Sequence, residues 1–320
     1  MPLPYMGSKR DSSGKIYQVI KNHSPESNTI CDLFCGGWAI SEYFFKNGFS
    51  IISNDKNKYI IALLEKIFFN SIEEEKFLQF VSREEFQYAM ENKEKCEDWY
   101  IGFLMTCWTF GNNQRDYIYG KEFESIKKAG HELVVNKNPE LFLALYPTLP
   151  IKYIEGILKQ KDWQTRRIAF LRVLKAFFKS KKDPDERYLQ NLQNLERLGT
   201  LANLKRLANL ERLERLENLH KIGSQDLKNI TLSSNDYREV KIPKNAIVYC
   251  DPPYFSTAIY AEGGFNHKEF WEWARETSKT NKIFISEYSA PSDVKVILEF
   301  SRRSLLAKTD NHQNEKLFTF

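Results

Sequence analysis

The sequence predicts an α/β fold built on a parallel, ligand-binding sheet, and three stretches carry that expectation. Thr29-Ile30-Cys31-Asp32-Leu33-Phe34 reads as a short apolar strand. It runs through Cys35-Gly36-Gly37-Trp38 into Ala39-Ile40-Ser41-Glu42-Tyr43-Phe44-Phe45, which has helical spacing. Strand, glycine turn and helix make the first unit of a nucleotide-type α/β fold. A second strand, Phe49-Ser50-Ile51-Ile52-Ser53, ends at Asn54-Asp55 and is followed by an apolar helical run from about 57 to 70. The third stretch, Ala246-Ile247-Val248-Tyr249-Cys250, is a buried strand that ends in Asp251-Pro252-Pro253-Tyr254.

Each element has a physical reading. Asp251 sits at the carboxyl end of its strand, where open α/β sheets place their ligands. Pro252 and Pro253 stop the strand and remove two N–H donors while keeping the carbonyl acceptors. With the ring of Tyr254 beside them, they form a rigid acceptor site with a stacking face. That arrangement suits a planar ring bearing an exocyclic amino group. The plain structural alternative is a Pro-Pro turn with a packed tyrosine. Asp55 is placed to accept from ribose hydroxyls, or to cap the helix that follows. Ile230-Thr231-Leu232 is a further strand, leading to Asn235-Asp236-Tyr237. Asp236 is placed to accept from an amino group with Tyr237 beside the ring, or to form an Asx-turn. Near the start, Pro4-Tyr5-Met6-Gly7-Ser8-Lys9-Arg10 is a turn between an aromatic residue and two cations. It reads either as a loop that folds over a ligand or as an ordinary arm.

The middle of the chain reads differently. Residues 71–100 are charged and helical in pattern. In Trp108–Lys121, Gly111-Asn112-Asn113 forms a turn between aromatic flanks. Asn112, Asn113, Arg115 and Tyr119 are placed to read or wedge apart bases, or to pack as a hairpin. Residues 151–190 hold eleven Lys/Arg against five Asp/Glu. Their basic helix, Trp163–Arg172, puts forward Arg166 and Arg167 for phosphate contacts, against the alternative of a solvated charged face. Leucine then recurs at every third position from Leu189 to Leu219, with Ile222 next. A step of three turns an α-helix position back by about 60°. One straight helix cannot keep all these leucines on one face, so 3₁₀ pieces or a triplet coil fit the period better, with short helices broken near Gly199 as the alternative. Residues 255–266, with Gly263-Gly264, read as a flap. A helix follows at about 267–280, then the strand Lys282–Tyr288. Ser304–Ala307 and Glu315–Phe320 read as final strands.

Composition sets the bounds. A chain of 320 residues has room for two domains. The formal charge of +5, with 16 Tyr, 23 Phe and 6 Trp, permits nucleic-acid binding. The cysteines at 31, 35, 96, 107 and 250 form no CxxC pair or zinc spacing, so neither a disulfide framework nor a metal site is expected. No signal region or membrane-length apolar run is present, which makes a soluble cytoplasmic protein the expectation.

Taken together, Pro4–Lys9, Asp32–Trp38, Asn54-Asp55, Asn235–Tyr237 and Asp251–Tyr254 resemble, in kind and order, the Dam-like DNA adenine-N6 methyltransferases. The resemblance covers about 1–70 and 225–320, and the middle only loosely around 108–121. It implies a class I, Rossmann-like, AdoMet-dependent methyltransferase sheet in a discontinuous catalytic domain, 1–70 and 225–320. A mainly helical target-recognition region, 71–224, would be inserted in it. It implies S-adenosylmethionine (AdoMet) held by Tyr5, Lys9, Asp32, Phe34, Gly36, Gly37, Asp55, Asp236, Tyr237 and Asp251. Catalysis would fall to Asp251, Pro252, Pro253 and Tyr254. Asp251 and the Pro252 carbonyl would accept the hydrogens of a flipped adenine amino group, Tyr254 would stack on the base, and the methyl group would transfer in line. Double-stranded DNA is the implied partner, in a bacterial or phage-infected cell, with a cognate restriction endonuclease as a further partner. Cys35-Gly36-Gly37 departs from the looser Gly-x-Gly of many members. Other acceptors stay open: cytosine N4, RNA or a protein glutamine. So does a decayed nucleic-acid-binding scaffold. Asp before Pro-Pro favours adenine over cytosine.

Overall fold

Seven short strands rich in Ile, Val, Leu and Phe form one mixed sheet. They are β1 Thr29–Asp32, β2 Ser50–Asn54, β3 Ile230–Ser233, β4 Ile247–Cys250, β5 Lys282–Glu287, β6 Lys295–Phe300 and β7 Glu315–Thr319. Their order across the sheet is β3-β2-β1-β4-β5-β7-β6. The first five are parallel, and β7 runs antiparallel to both β5 and β6. The computed structural model behind this description covers residues 2–70, 74–147, 149–180, 208–223, 227–254, 265–300 and 314–320. The chain divides into two units. One is Met1–Ser71 with Cys96–Phe103 and Asn218–Phe320, and the other is Ile72–Lys95 with Leu104–Glu217.

The helices in chain order are α1 Ser13–His23, α2 Ala39–Lys46, α3 Lys58–Phe69, α4 Glu74–Leu78, α5 Arg83–Glu91 and α6 Asp98–Cys107. Then come α7 Lys121–Val134, α8 Glu140–Leu145, α9 Ile151–Leu158, α10 Trp163–Ser180, α11 Ala208–Gly223 and α12 His267–Ser278. Central strands buried on both faces show continuous apolar runs rather than alternation. Accordingly β4 is buried at every residue, and β5 at all but Lys282. On one face, Cys31, Val248, Cys250, Ile283 and Ile285 share a core with Phe270 and Ala274 of α12. On the other, α2 packs against β1 and β2. Cys250 lies inside this core, and burial pushes its thiol well above the usual range, in keeping with a structural role. Helix α6 crosses α3 so closely that a Cβ on Gly102 would lie 2.0 Å from the Tyr59 carbonyl oxygen. Only glycine fits that crossing.

The helical unit has a polar centre that is fully partnered. The His131 ring has Nε2 at 2.7 Å from the Leu78 carbonyl, which can only accept. Nε2 therefore carries the proton, and Nδ1 accepts from the Asn209 amide at 3.0 Å. Tyr119 donates its hydroxyl to the same Asn209 at 2.5 Å. Burial holds the His131 ring down to about 4, against an ordinary 6.5.

One expectation changes here. The described part of the leucine repeat is α-helix, not 3₁₀ or a triplet coil: α11 carries Leu210, Leu213, Leu216 and Leu219, all buried. Three steps of three sweep about half the helix circumference, and no residue from 209 to 220 is exposed. The period is met by enclosing the helix rather than by changing its type. The repeat before 208, the flap residues 255–264 and the strand expected at Ser304–Ala307 lie outside the described residues. The antiparallel partner on the far side of β7 is β6. Among the described residues no helix is long and apolar enough to cross a membrane.

Candidate active site

Parallel pairing in the order β2-β1-β4 brings three carboxylates to one edge of the sheet. Asp32 ends β1, Asp55 follows β2 and Asp251 follows β4. Asp32 is 1% exposed. Its Oδ2 accepts from the Ser41 hydroxyl at 2.7 Å, and Ser41 meets Ser53 Oγ at 2.7 Å. Ser53 in turn accepts from the Trp38 indole at 2.8 Å. Asp32 Oδ1 is buried with no hydrogen-bond partner among the described residues. Burial pushes the Asp32 carboxyl up to about 7. The Ser41 bond opposes this rise, and Asp251 and Asp55 add to it.

Asp55 spans two elements. Its Oδ2 accepts from Gly36 N–H at 2.9 Å and its Oδ1 from Asn57 N–H at 2.9 Å. The residue that caps α3 is Asn57, not Asp55. Burial raises the Asp55 carboxyl against those two bonds, and Asp251 adds to the rise. The Asn54 amide ties the strand ends together, donating to the Leu33 and Asn235 carbonyls at 3.2 and 3.0 Å. Its Oδ1 accepts from Asn235 N–H at 3.0 Å.

The glycine turn has a neighbour that the sequence did not suggest. Leu3 N–H donates to the Gly37 carbonyl at 2.9 Å. A Cβ on Gly36 would meet the Tyr5 ring at 2.8 Å, and one on Gly37 would meet the Leu3 carbonyl oxygen at 2.6 Å. The turn's glycines thus admit the N-terminal arm. Gly36 has φ +44° and Trp38 φ +67°, the latter an uncommon conformation for a bulky residue. The indole bond to Ser53 and ring packing on Phe68, 4.7 Å between centroids, hold Trp38 in place.

That arm delivers Lys9, whose ammonium donates to Asp251 Oδ2 at 2.5 Å and to the Tyr254 hydroxyl at 2.7 Å. It also pairs with Glu315 Oε1 at 2.9 Å. The carboxylates facing Lys9 here are therefore the protein's own. The Tyr254 hydroxyl lies 2.9 Å from Asp251 Oδ1 and also bonds Glu315. Its ring meets Tyr288 edge-on, with centroids 4.7 Å apart. Burial raises the Asp251 carboxyl, Lys9 pulls it down, and Glu315 pushes it up again. Pro252 is buried, and Pro253 and Tyr254 are half-buried.

On the other side of the sheet edge, Asp236 forms the Asx-turn, accepting from Arg238 N–H at 3.1 Å. Both its carboxylate oxygens also take the Arg238 guanidinium, at 2.8 and 3.0 Å. That pairing holds the Asp236 carboxyl below its usual range. Tyr237 is buried against Phe34, Phe265, Phe270 and Trp273, with centroids 4.9–5.9 Å away.

The residues put forward in the helical unit divide into two groups. At the turn, Asn113 Oδ1 accepts from Arg115 and Asp116 N–H, each at 3.0 Å. Gly111, Asn112 and Gln114 take φ of 58°, 60° and 62°, and Thr109 bridges Tyr117. This braced turn leaves Arg115 exposed and Phe110 66% exposed. Tyr119, Arg166 and Arg167 are corrected. Tyr119 is buried on Asn209. Arg166 is buried, with its guanidinium on the Val134 and Val135 carbonyls at the end of α7. Arg167 donates to Glu214 at 2.7 Å. Internal acceptors occupy these groups, so they do not offer the outward face expected of phosphate contacts.

Sequence reasoning missed Glu315, Arg238, Ser41 and Ser53. The only signal for Glu315 was an acid opening an otherwise apolar strand. Among the described residues no group of three or more His, Cys, Asp or Glu is placed to hold a metal ion.

Comparison with known proteins adds to this geometry. Residues 5–146 match the family model of the D12 class N6 adenine-specific DNA methyltransferases. A stretch of 102 residues is 33% identical to Modification methylase LlaI of Lactococcus lactis subsp. lactis. It covers 31% of this chain and 16% of that protein, so the chain spans a small part of that relative's length. The resemblance to adenine-N6 methyltransferases is thereby shown over residues 5–146. The tetrapeptide at 251–254 lies beyond that match.

Proposed function

We propose that this chain is an AdoMet-dependent methyltransferase that acts on the N6 amino group of adenine in duplex DNA. The observation that carries the reading is the gathering of Asp32, Asp55 and Asp251 at one sheet edge, with a buried oxygen of Asp32 left unpartnered. Crowded, desolvated carboxylates favour a ligand that brings positive charge. AdoMet, with its ammonium and sulfonium, fits that donor set. Asp32 and Asp55 would hold it, with the turn at Gly36 below and Phe34 alongside. Bound there, it supplies an electrophilic methyl group. The order β3-β2-β1-β4-β5-β7-β6, with only β7 reversed against its neighbours, supports the class I Rossmann-like reading.

The chain's own groups do the rest. An adenine amino nitrogen is a weak nucleophile because its lone pair is delocalised into the ring. Asp251 accepts one bond at each oxygen, from Lys9 and Tyr254, and an ionised carboxylate has about four acceptor positions. The remaining positions, with the Pro252 carbonyl, accept the amino hydrogens and favour a more tetrahedral nitrogen. Positioning then supplies much of the rate. A base must leave the duplex to reach such a pocket, and Tyr254 provides the ring on which it stacks. In the helical unit, which we assign to target recognition, the braced turn presents Phe110 as an apolar wedge and Arg115 as a cation.

The test is methyl transfer from labelled AdoMet to unmethylated duplex DNA, with single-base detection of N6-methyladenine. Methylated adenines confined to one short sequence support the reading. Transfer to cytosine N4, RNA or protein instead overturns the substrate, and no AdoMet binding overturns the whole.

A further inference from the structure

The cluster around Asp251 holds one more acid than the motif supplies. Glu315 opens β7 and is 1% exposed. Its Oε1 takes both the Lys9 ammonium and the Tyr254 hydroxyl. Its Oε2 is buried without a hydrogen-bond partner among the described residues. The Tyr254 hydroxyl also faces Asp251 Oδ1 at 2.9 Å. A phenol has one proton, so it donates to Asp251 or to Glu315, not to both at once. Tyr254 therefore links two carboxylates by a proton that has two places to point.

Charge in this cluster is unbalanced. Lys9 is the cation that Asp251 and Glu315 share. Glu315 presses negative charge on Asp251, and Asp251 in turn presses it on Asp32 and Asp55. The Tyr249 hydroxyl nearby is engaged with Ser286 at 2.7 Å and contributes no cation. Buried carboxylates outnumbering their counter-ion favour the uptake of a proton.

Methyl transfer to an amino group produces one proton. The N–CH₃ bond forms as the CH₃–S bond breaks, and the sulfur keeps the electron pair. The nitrogen then carries a positive charge until it releases a proton. The sulfonium charge disappears as the proton appears.

Building on the methyltransferase reading, we infer that Glu315 takes up this proton through the Tyr254 hydroxyl. The amino proton passes to Asp251, the proton of Asp251 passes to the Tyr254 oxygen, and the hydroxyl proton of Tyr254 moves to Glu315. At the end the methylated amine and the thioether are neutral. Asp251 is again a carboxylate, Tyr254 again a phenol, and Glu315 a carboxylic acid. Burial, with Asp251 and Glu315 beside it, holds the Tyr254 hydroxyl well above the ordinary phenol range. The two hops through Tyr254 are therefore concerted and leave no phenolate. Glu315 does not touch the base and acts as a positioning residue through Tyr254.

The test compares wild type, Glu315→Gln, Tyr254→Phe, the double variant and Glu315→Asp. Single-turnover transfer to duplex DNA is followed for each. Gln keeps an acceptor for Tyr254 and Phe keeps the ring, so both variants preserve shape. Each single change is expected to slow transfer about 100-fold, and the double variant no further, because both break one path. Asp at 315 restores part of the rate. A second readout is AdoMet binding by calorimetry in two buffers of different ionisation enthalpy. In wild type the arriving cation expels a shared proton, and in Glu315→Gln that release is lost while affinity is retained. Losses that multiply in the double variant, no rescue by Asp at 315, or unchanged proton release overturn the relay while leaving methyl transfer standing. A wild type that binds AdoMet but methylates no adenine overturns the function and the relay together.

Discussion

Asp32 in the sheet unit and His131 in the helical unit are both titratable and fully buried, yet they are left in opposite states. His131 has a partner at each nitrogen. Asp32 has a partner on one oxygen only. Burying a polar group without a hydrogen bond costs free energy. A satisfied buried group therefore reads as part of the scaffold, and an orphaned one as part of a site that expects a ligand. Glu315 Oε2 belongs with Asp32 by the same criterion.

Four variants sharpen or break this contrast. The largest effect is expected from Asp251→Ala: methyl transfer falls about 1000-fold, as for loss of a group that stabilises developing charge. The thermal midpoint should stay near wild type, and retained activity would remove Asp251 from the mechanism. Next comes His131→Ala. It strands the Leu78 carbonyl and the Asn209 amide and lowers stability by about 3 kcal/mol in denaturant titrations. AdoMet affinity should be unchanged, and a loss of affinity without loss of stability would reverse the assignment.

The third variant, Asp32→Asn, has the opposite sign. It should stabilise the free protein at pH 8 by on the order of 2 kcal/mol, because it removes a carboxylate forced to ionise in a buried place. At the same time it should weaken AdoMet binding at least about tenfold, through loss of a charged partner. The two groups also give opposite pH slopes. Between 3.8 and about 7, folded Asp32 keeps a proton that the unfolded chain has lost, so its contribution to stability declines as pH rises through that window. Between 6.5 and about 4, unfolded His131 binds a proton that the folded ring refuses, so stability declines as pH falls. Melting curves of each variant against wild type across pH separate the two. The smallest effect is Phe110→Ala: about fivefold weaker DNA binding or base extrusion with no change in melting, since its ring is exposed. A wild-type affinity in that variant would remove the wedge.

What the sequence disclosed depended on how tightly each feature is tied to topology. Asp55 and Asp251 were legible because a parallel strand delivers its last residue to a known edge of the sheet. Lys9 was legible only as a cation on a loop that folds over a ligand, because its partners Asp251 and Glu315 lie more than 240 positions away. Glu315 was illegible for a related reason. Only the insertion of β7 between β5 and β6 brings it beside Tyr254. Arg166 was misjudged because composition was weighed before periodicity. Trp163, Arg166, Phe170 and Leu174 recur at helical spacing and are the buried stripe of α10. Its arginine therefore points inward, to the end of α7. Among the described side chains of that helix the exposed cation is Arg172. The leucine period was read correctly as a rotation, but the conclusion assumed that a helix has only one face to bury.

That rotation has a consequence for how the segment tolerates change in length. Within α11, adding or deleting one Leu-x-x triplet shifts the preceding residues by about 4.5 Å along the axis and turns them by about 60°. The leucine pattern stays intact while its direction changes. A replication slip of nine nucleotides would thus leave the reading frame and the hydrophobic spelling untouched, yet would turn Asn209 away from Tyr119 and His131. About six such slips in the same direction would be needed to bring the helix back into phase.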